Sequence, residues 1–417
     1  MFPFSQVMPV ILLKMLTMFV HPIFWLVVGL VGLQYKRMAS VKENMLGISA
    51  GGGVWRDVAV ATVFGLAGGV LGSVLMVVIG LTLTESGLMY LWPVAILLML
   101  INARFLCFAY AGGILALGKL LFGFPPVNIP QVLALVAILH MVESLLILFS
   151  GHLGAVPAYF KDRRGKVVGG FTLQKFWPIP IVALAIMGAS GAAGQGIQMP
   201  EWWPLLKPGV EGDPDTLVYA MIAVVAGLGY GDLAIARNPR EKSKLSAVFL
   251  AVYSIILLFL AVAADNSAFV ALVAALFSPL GHEAVIYLGR KLEFTQEPLY
   301  APHPEGLRVL DVVPGTQAWR AGIRSGDVLV AVNNIPVQTR SQFEYALGFW
   351  TGMVELGYIS EQQGAYKREL VPPPTPGQPF GLLPIPEGHE SNYLPLETAG
   401  PLGRWWGEFW QRIAGEK

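Results

Sequence analysis

Four ionisable side chains, His140, Glu143, His282 and Glu283, fall inside long apolar stretches of this chain. A charged group in the hydrocarbon core of a membrane costs about 2.5 kcal/mol or more, so such residues are usually paired or functional. His140 and Glu143 are three residues apart and therefore share one face of a helix. Two imidazoles and two carboxylates could bind zinc or another divalent ion. They could equally form hydrogen bonds that hold neighbouring helices together.

A protease interpretation needs more than these four residues. Site-2 type membrane metalloproteases carry His-Glu-x-x-His on one helix, with the glutamate as base and both histidines on zinc. Here His282-Glu283 is followed by three apolar residues, so the second histidine is missing. Ser190 lies in a Gly-x-Ser-Gly sequence, but we expect no histidine at its depth in the membrane. The chain has no complete catalytic motif, and a divergent metalloprotease or a transporter built on the His/Glu cluster stays the alternative function.

The composition of the 417 residues indicates a membrane protein. Hydrophobic residues make up 55% and charged residues 13%, against about a quarter charged in soluble domains, and the mean hydropathy is +0.60. The net charge of +1 gives no electrostatic reason to expect a nucleic-acid partner. Cys107 is the single cysteine in the sequence, a count that argues against a disulfide framework and against a cysteine zinc site.

Apolar stretches predict an α-helical polytopic bundle of about nine spans, eight to nine, over residues 1–291, because about 20 apolar residues cross the hydrocarbon core. The third and fourth stretches are short and could form one re-entrant hairpin. Loops rich in lysine and arginine follow the first, fifth and seventh stretches, and such loops stay in the cytoplasm. The region after Arg290-Lys291 is then cytoplasmic. The stretches are 9–33, 58–82, 88–103, 105–123, 130–150, 177–192, 216–236, 245–263 and 267–289.

A different pattern follows the last apolar stretch. Val312-Val313-Pro314-Gly315 predicts a strand that ends in a turn, Ala321-Gly322-Ile323 a helix stopped by glycine, and Gly326-Asp327-Val328-Leu329 a second turn and strand. These residues and their spacing resemble a bacterial PDZ domain. The resemblance implies a small α+β domain over residues 292–371 that binds an extended peptide as an added strand.

By this resemblance, the peptide would lie between the first strand of the domain and the helix near residue 341. The family's glycine-rich carboxylate-binding loop falls here on Pro304-Glu305-Gly306-Leu307-Arg308, which has one glycine. Both a free C-terminus and an internal segment stay open as ligands. The candidate peptide-binding residues are Gly306, Leu307, Arg308, Val309, Leu310, Ser341 and Tyr345.

Two further segments complete the chain. Residues 372–400 are rich in proline, which predicts a stiff, extended linker. Residues 401–417 predict an amphipathic helix with Trp405, Trp406 and Trp410 close to one face. Such a helix suits the lipid headgroup region of the bilayer, or it could pack on the PDZ domain.

The order of these regions is similar to that of the polytopic PDZ-domain membrane proteins of Gram-positive bacteria. Residues 104–113 (RFLCFAYAGG), His140 and Glu143 ahead of Gly151-His152, and residues 279–283 (PLGHE) carry the resemblance. It implies a multi-pass scaffold of the bacterial cell membrane, with the PDZ domain and the C-terminus in the cytoplasm. Its partners would be a peptide or protein ligand of the PDZ groove, including Min-system and pole-marking division proteins. We expect no enzyme activity and no cofactor apart from the candidate divalent ion.

Overall fold

The structure is a computed structural model in which a helical bundle with a long β-sheet precedes a small α+β domain. The described residues are 1–46, 53–84, 86–161, 165–189, 196–209, 217–348, 352–373, 379–388, 390 and 393–394. The tryptophan-rich helix predicted over 401–417 lies outside them.

The helices of the bundle are α1 (Phe4–Met18), α2 (Pro22–Leu46), α3 (Val54–Ile79), α4 (Leu88–Ile101), α5 (Phe108–Phe122), α6 (Ile129–Ser150), α7 (Pro239–Ala263) and α8 (Ala268–Thr295). Among the described residues, α3, α6, α7 and α8 are the 4 helices long and apolar enough to cross a membrane. The first predicted span is the pair α1 and α2, bent by 70°. The short third and fourth stretches form α4 and α5.

The sixth and seventh predicted spans are strands, which corrects the expected number of helices. The sheet contains β1 (Val156–Lys161), β2 (Val167–Ala189) and β3 (Leu217–Ala234), antiparallel in the order β1-β2-β3. Pro178 and Pro180 explain the difference, because proline in a helix interior removes a hydrogen bond and clashes with the preceding turn. The surrounding β-branched and aromatic residues favour strands. Hydropathy alone does not distinguish a long apolar strand from a helix.

The bundle covers β2 with a strip of small residues on α3. A Cβ atom at Gly65 or Gly69 would overlap a proline carbonyl of β2. The next position along the strip is Ser73, whose hydroxyl oxygen accepts a hydrogen bond from the Val182 N–H at 2.8 Å. Because backbone polar groups in a membrane need partners inside the protein, this contact satisfies one backbone donor of β2.

Buried charges fix the end of β3 to the helices. Glu293 is 1% exposed and accepts hydrogen bonds from the two N–H groups of residues 235–236 at 2.9 and 2.8 Å. The same carboxylate pairs with Arg237 at 2.9 Å. Lys242, itself fully buried, pairs with Asp232 at 3.2 Å. The sheet therefore leaves the bundle at a position set by α7 and α8.

The C-terminal domain forms a second sheet. Its elements are β4 (Leu307–Val312), α9 (Gln317–Arg320), β5 (Val328–Val332), β6 (Ile335–Pro336), α10 (Arg340–Gly348), β7 (Val354–Ser360), β8 (Ala365–Val371) and β9 (Leu382–Pro384). The strand order is β8-β7-β5-β4-β9, with β6 on β5. Since β9 comes from the proline-rich segment, the predicted boundary at residue 371 is too early, and part of the expected linker belongs to the domain.

The C-terminal domain packs directly on the bundle. Leu310 and Leu383 belong to the same buried apolar cluster as side chains of α3, α6 and β2. The Tyr159 hydroxyl of β1 donates a hydrogen bond to the Pro384 carbonyl at 3.0 Å. The Leu394 N–H donates to the Tyr159 carbonyl at 2.8 Å. The domain is therefore held at the end of the bundle from which β1 emerges.

Candidate functional site

The strand at the groove edge of the C-terminal sheet is β9. Leu307 and Arg308 of β4 pair with β5, and Val309 and Val312 pair with β9. The predicted peptide edge, the strand Leu307 to Val313, is therefore not open, because Val309, Asp311 and Val312 already pair with β9. A short-range pattern locates β4 and its turn, but it does not reveal that β9 returns from some 70 residues further along the chain.

A groove separates β9 from α10. Its helical wall consists of Arg340, Phe343, Glu344 and Leu347, which lie three or four residues apart and so share one face. Tyr345 is 64% exposed and, like Ser341, does not line the groove. These two predicted residues are on the correct helix but on the wrong face, since one residue rotates a helix by about 100°. The other wall is Val313, Pro379, Phe380, Gly381, Leu382 and Pro384.

The base of the groove is apolar and rigid. The rings of Phe343 and Phe380 meet with their centroids 5.7 Å apart. Gly381 has φ +85, and a Cβ there would overlap Thr316, so no other residue fits this turn without strain. The Gly381 carbonyl accepts a hydrogen bond from the Val313 N–H at 2.9 Å. The turn before β9 is thus fixed from both sides.

One end of the groove is closed by the chain itself. The Glu387 carboxylate accepts a hydrogen bond from the Arg340 N–H at 3.0 Å, at the start of α10. Arg340 also donates to Glu344 at 2.8 Å, and this hydrogen bond raises the pKa of the Arg340 guanidinium above its ordinary value. The polar rim is therefore already paired. What the groove offers a ligand is a strand edge near Leu382 and the apolar pocket beside Leu347, a combination suited to an extended peptide with an apolar side chain.

A second group of functional side chains lies inside the bundle. Cys107 at the start of α5, His140 on α6 and His282 on α8 converge, although they are far apart in sequence. The Cys107 Sγ atom is 3.2 Å from His140 Nε2 and 3.6 Å from His282 Nε2. All three possible ligand atoms lie within 4.8 Å of one another. The two predicted histidines therefore do meet.

The two predicted glutamates do not join this group. Glu283 forms an ion pair with Arg104 at 3.1 Å and accepts a hydrogen bond from the Tyr110 hydroxyl at 2.6 Å. It follows His282 directly, so its side chain leaves α8 about 100° away. Glu143 is half-buried one turn beyond His140. Its carboxylate interacts electrostatically with Cys107 but is outside the set of converging ligand atoms.

Sequence reasoning missed Cys107. A single cysteine gives no spacing pattern, and its meeting with His140 and His282 depends on how three helices pack. The local signal was the break between α4 and α5, where Asn102 accepts a hydrogen bond from the Arg104 N–H at 3.1 Å. Non-helical backbone at membrane depth is tolerated where protein surrounds it, and it often marks a site.

The long apolar helices and the groove define a membrane protein with a C-terminal PDZ domain, and residues 308–347 match the family model described as PDZ domain. Along most of its length the chain is similar to the cell division topological determinant MinJ of Bacillus subtilis. The two are 23% identical over 385 residues, which cover 84% of this chain and 90% of the relative. A stretch of 47 residues is 45% identical to the putative serine protease HhoA of Synechocystis sp., and it covers 11% of this chain and 12% of that protein.

Proposed function

We propose that this chain is a membrane scaffold whose PDZ groove captures a segment of a partner protein at the membrane surface. The observation that carries the proposal is the groove between β9 and α10, which ends a sheet on one side and presents Phe343 and Leu347 on the other. An extended segment gains affinity from main-chain hydrogen bonds to such an edge and specificity from the pocket. The hydrogen bond from Tyr159 to Pro384 keeps this groove close to the bundle.

The partner belongs to the machinery that places the division site. The similarity to MinJ along most of both chains supports this choice, because it extends well beyond the PDZ domain. We include Min-system and pole-marking division proteins among the partners. The competing function is a membrane metalloprotease or transporter, and the cluster of Cys107, His140 and His282 supports it. Against it, the sequence lacks the second histidine of His-Glu-x-x-His.

The PDZ domain faces the cytoplasm of a multi-pass protein in the bacterial cell membrane. Replacing two predicted helical spans by the hairpin of β2 and β3 leaves this orientation unchanged, because a hairpin returns to the side from which it came. Contacts at the far end of the bundle support the arrangement, since the Trp203 ring N–H donates to the Val77 carbonyl at 2.8 Å near the end of α3. The basic loops still share one side. Their charges are Lys36, Arg37, Lys42 and Arg56; Lys161, Arg163, Arg164, Lys166 and Lys175; and Arg237, Arg240, Lys242 and Lys244.

A pull-down with the full-length protein tests the scaffold function. Leu347→Asp places a charge in the apolar pocket, so we expect recovery of the groove-dependent partner to fall at least about tenfold, equivalent to about 1.4 kcal/mol. Tyr345→Ala is the matched control, because Tyr345 lies on the same helix outside the groove, and it should leave recovery unchanged. Quantitative mass spectrometry of the captured proteins gives the readout. Equal recovery by the wild type and a folded Leu347→Asp variant contradicts the proposal.

A further inference from the structure

We propose that Cys107, His140 and His282 bind a zinc ion inside the helical bundle. This inference is independent of the scaffold function, since it concerns α5, α6 and α8 rather than the PDZ groove. It also replaces the ligand set expected from the sequence, in which two glutamates stood beside the histidines. Four properties of the cluster support zinc binding: the spacing of its ligand atoms, the hydrogen bonding of its imidazoles, the competing polar groups and the balance of charge.

The spacing of the ligand atoms fits tetrahedral zinc. Zinc bonds to sulfur at about 2.3 Å and to nitrogen at about 2.0–2.1 Å, so two ligand atoms of one tetrahedron lie roughly 3.5 Å apart. Cys107 Sγ is 3.2 Å from His140 Nε2 and 3.6 Å from His282 Nε2. Both distances match the edge of a zinc tetrahedron, and all three ligand atoms lie within 4.8 Å of one another.

A backbone hydrogen bond sets the tautomer of His140. Its Nδ1 atom lies 2.7 Å from the Val136 carbonyl oxygen. A carbonyl only accepts, so Nδ1 carries the proton and donates it, and a neutral imidazole then has its lone pair on Nε2. That lone pair is on the side of Cys107. Metal-binding histidines commonly use the other ring nitrogen in this way, which fixes the ring and raises its basicity.

His282 has no competing polar partner among the described residues. Its Nδ1 atom is buried without a hydrogen bond, and its Nε2 atom lies towards Cys107. The rings of Tyr110, His140 and Tyr253 surround it, with centroids 5.3, 5.2 and 5.7 Å away. With the ring proton on Nδ1, the Nε2 lone pair is directed towards Cys107, and the surrounding rings hold the imidazole in a position from which Nε2 can bind an ion.

The neighbouring carboxylates separate into two roles. Arg104 and Tyr110 occupy the carboxylate of Glu283, so it is not available to an ion. Glu143 forms neither a hydrogen bond nor an ion pair with the described residues, and it interacts electrostatically with Cys107. Zinc with one thiolate and two neutral imidazoles carries one positive charge, which the Glu143 carboxylate would neutralise. That balance lowers the cost of burying the charge. Thiolate and imidazole ligands favour zinc over magnesium or calcium.

Metal analysis of the full-length protein in detergent tests the site. The protein carries an affinity tag without histidine and is purified after growth in zinc-replete medium. We expect about one zinc per chain in the wild type and a loss of at least tenfold in Cys107→Ser, His140→Ala and His282→Ala. His21→Ala is the matched control, because His21 is exposed, and it should keep the zinc of the wild type. Zinc-free wild-type protein that is folded and monodisperse, or zinc unchanged in the three variants, overturns the assignment. Copper in place of zinc would contradict the choice of ion.

A second measurement separates lost ligands from a lost fold. In protein loaded with cobalt, a thiolate ligand produces a charge-transfer band in the near ultraviolet. We expect this band in the wild type and its disappearance in Cys107→Ser, while His21→Ala retains it. A chelator should lower the Tm of the wild type, since an ion that binds only the folded state stabilises it. The same chelator should not change the Tm of Cys107→Ser. An equal chelator effect on both proteins would overturn the site.

Discussion

The PDZ groove and the cysteine–histidine cluster offer a ligand two different kinds of contact. The groove presents a strand edge and an apolar pocket at the protein surface, so its contacts with a ligand are spread over main chain and side chains. The cluster presents three side-chain atoms within 4.8 Å of one another, and the proposed zinc site needs all three. We therefore expect a single substitution in the groove to lower its affinity for a peptide, and a single substitution in the cluster to prevent metal binding. The difference follows from how many partners share the binding energy.

The largest effect on stability is expected where a charge is buried with all of its partners. Glu293→Ala leaves the N–H groups of residues 235–236 and the Arg237 guanidinium without their acceptor. Removing one partner of a buried ion pair costs about 3–5 kcal/mol. The Tm of the full-length protein in detergent should fall accordingly. Glu297→Ala is the control, because Glu297 is exposed and lies four residues further along the chain. A similar fall in Tm in both variants would refute this role of Glu293.

The Val309→Pro variant tests whether the PDZ groove and the cysteine–histidine cluster are independent of each other. Val309 is fully buried, and its N–H donates to the Asp327 carbonyl at 2.8 Å. Proline removes this hydrogen bond from a strand that is paired on both sides, which destabilises the sheet. We expect the variant to lose the partner in a pull-down and to keep the metal content of the wild type. Loss of the metal together with the partner would show that the regions are not separate.

Loss of the hydrogen bond between β1 of the bundle and β9 of the C-terminal domain should have the smallest effect on stability. Tyr159→Phe removes the hydrogen bond to the Pro384 carbonyl and keeps the buried ring. The expected loss is about 1 kcal/mol, with faster hydrogen exchange at the amides of Leu382, Leu383 and Ile385. Tyr287→Phe is the control, because the Tyr287 ring is exposed. Unchanged exchange in Tyr159→Phe would mean that the domain does not depend on β1.

Local patterns in the sequence were sufficient for much of the PDZ domain. The turn at Pro314-Gly315, the stop at Gly322 and the strand at Val328 appear where the spacing predicts them. The helix expected near residue 341 spans Arg340–Gly348. Ser341 and Tyr345 lie outside the groove, because the face that packs on Phe380 is set by long-range contacts. The edge strand was missed, since nothing near Leu382 indicates that a proline-rich segment pairs with β4.

Long-range packing limited the prediction for the bundle. The sequence groups His140 and His282 in one set of four candidate metal ligands, and their rings lie 5.2 Å apart. Cys107 and the true position of Glu283 depend on the break before α5 and on the rotation of α8, which no local pattern encodes. Hydropathy marked 177–192 and 216–236 as apolar, but the prolines of β2 and the close approach of the α3 glycines favour strands in their described parts, 177–189 and 217–234.

Photo-crosslinking in living cells tests the central claim most directly. A photoreactive amino acid replaces Glu344, whose side chain lines the groove, or Tyr345, its exposed neighbour on the same helix. The account predicts a covalent adduct with a defined protein from position 344, with far less from position 345, and loss of the adduct when Leu347→Asp is added. Equal adducts from both positions, or an adduct from position 344 that persists with Leu347→Asp, would contradict it.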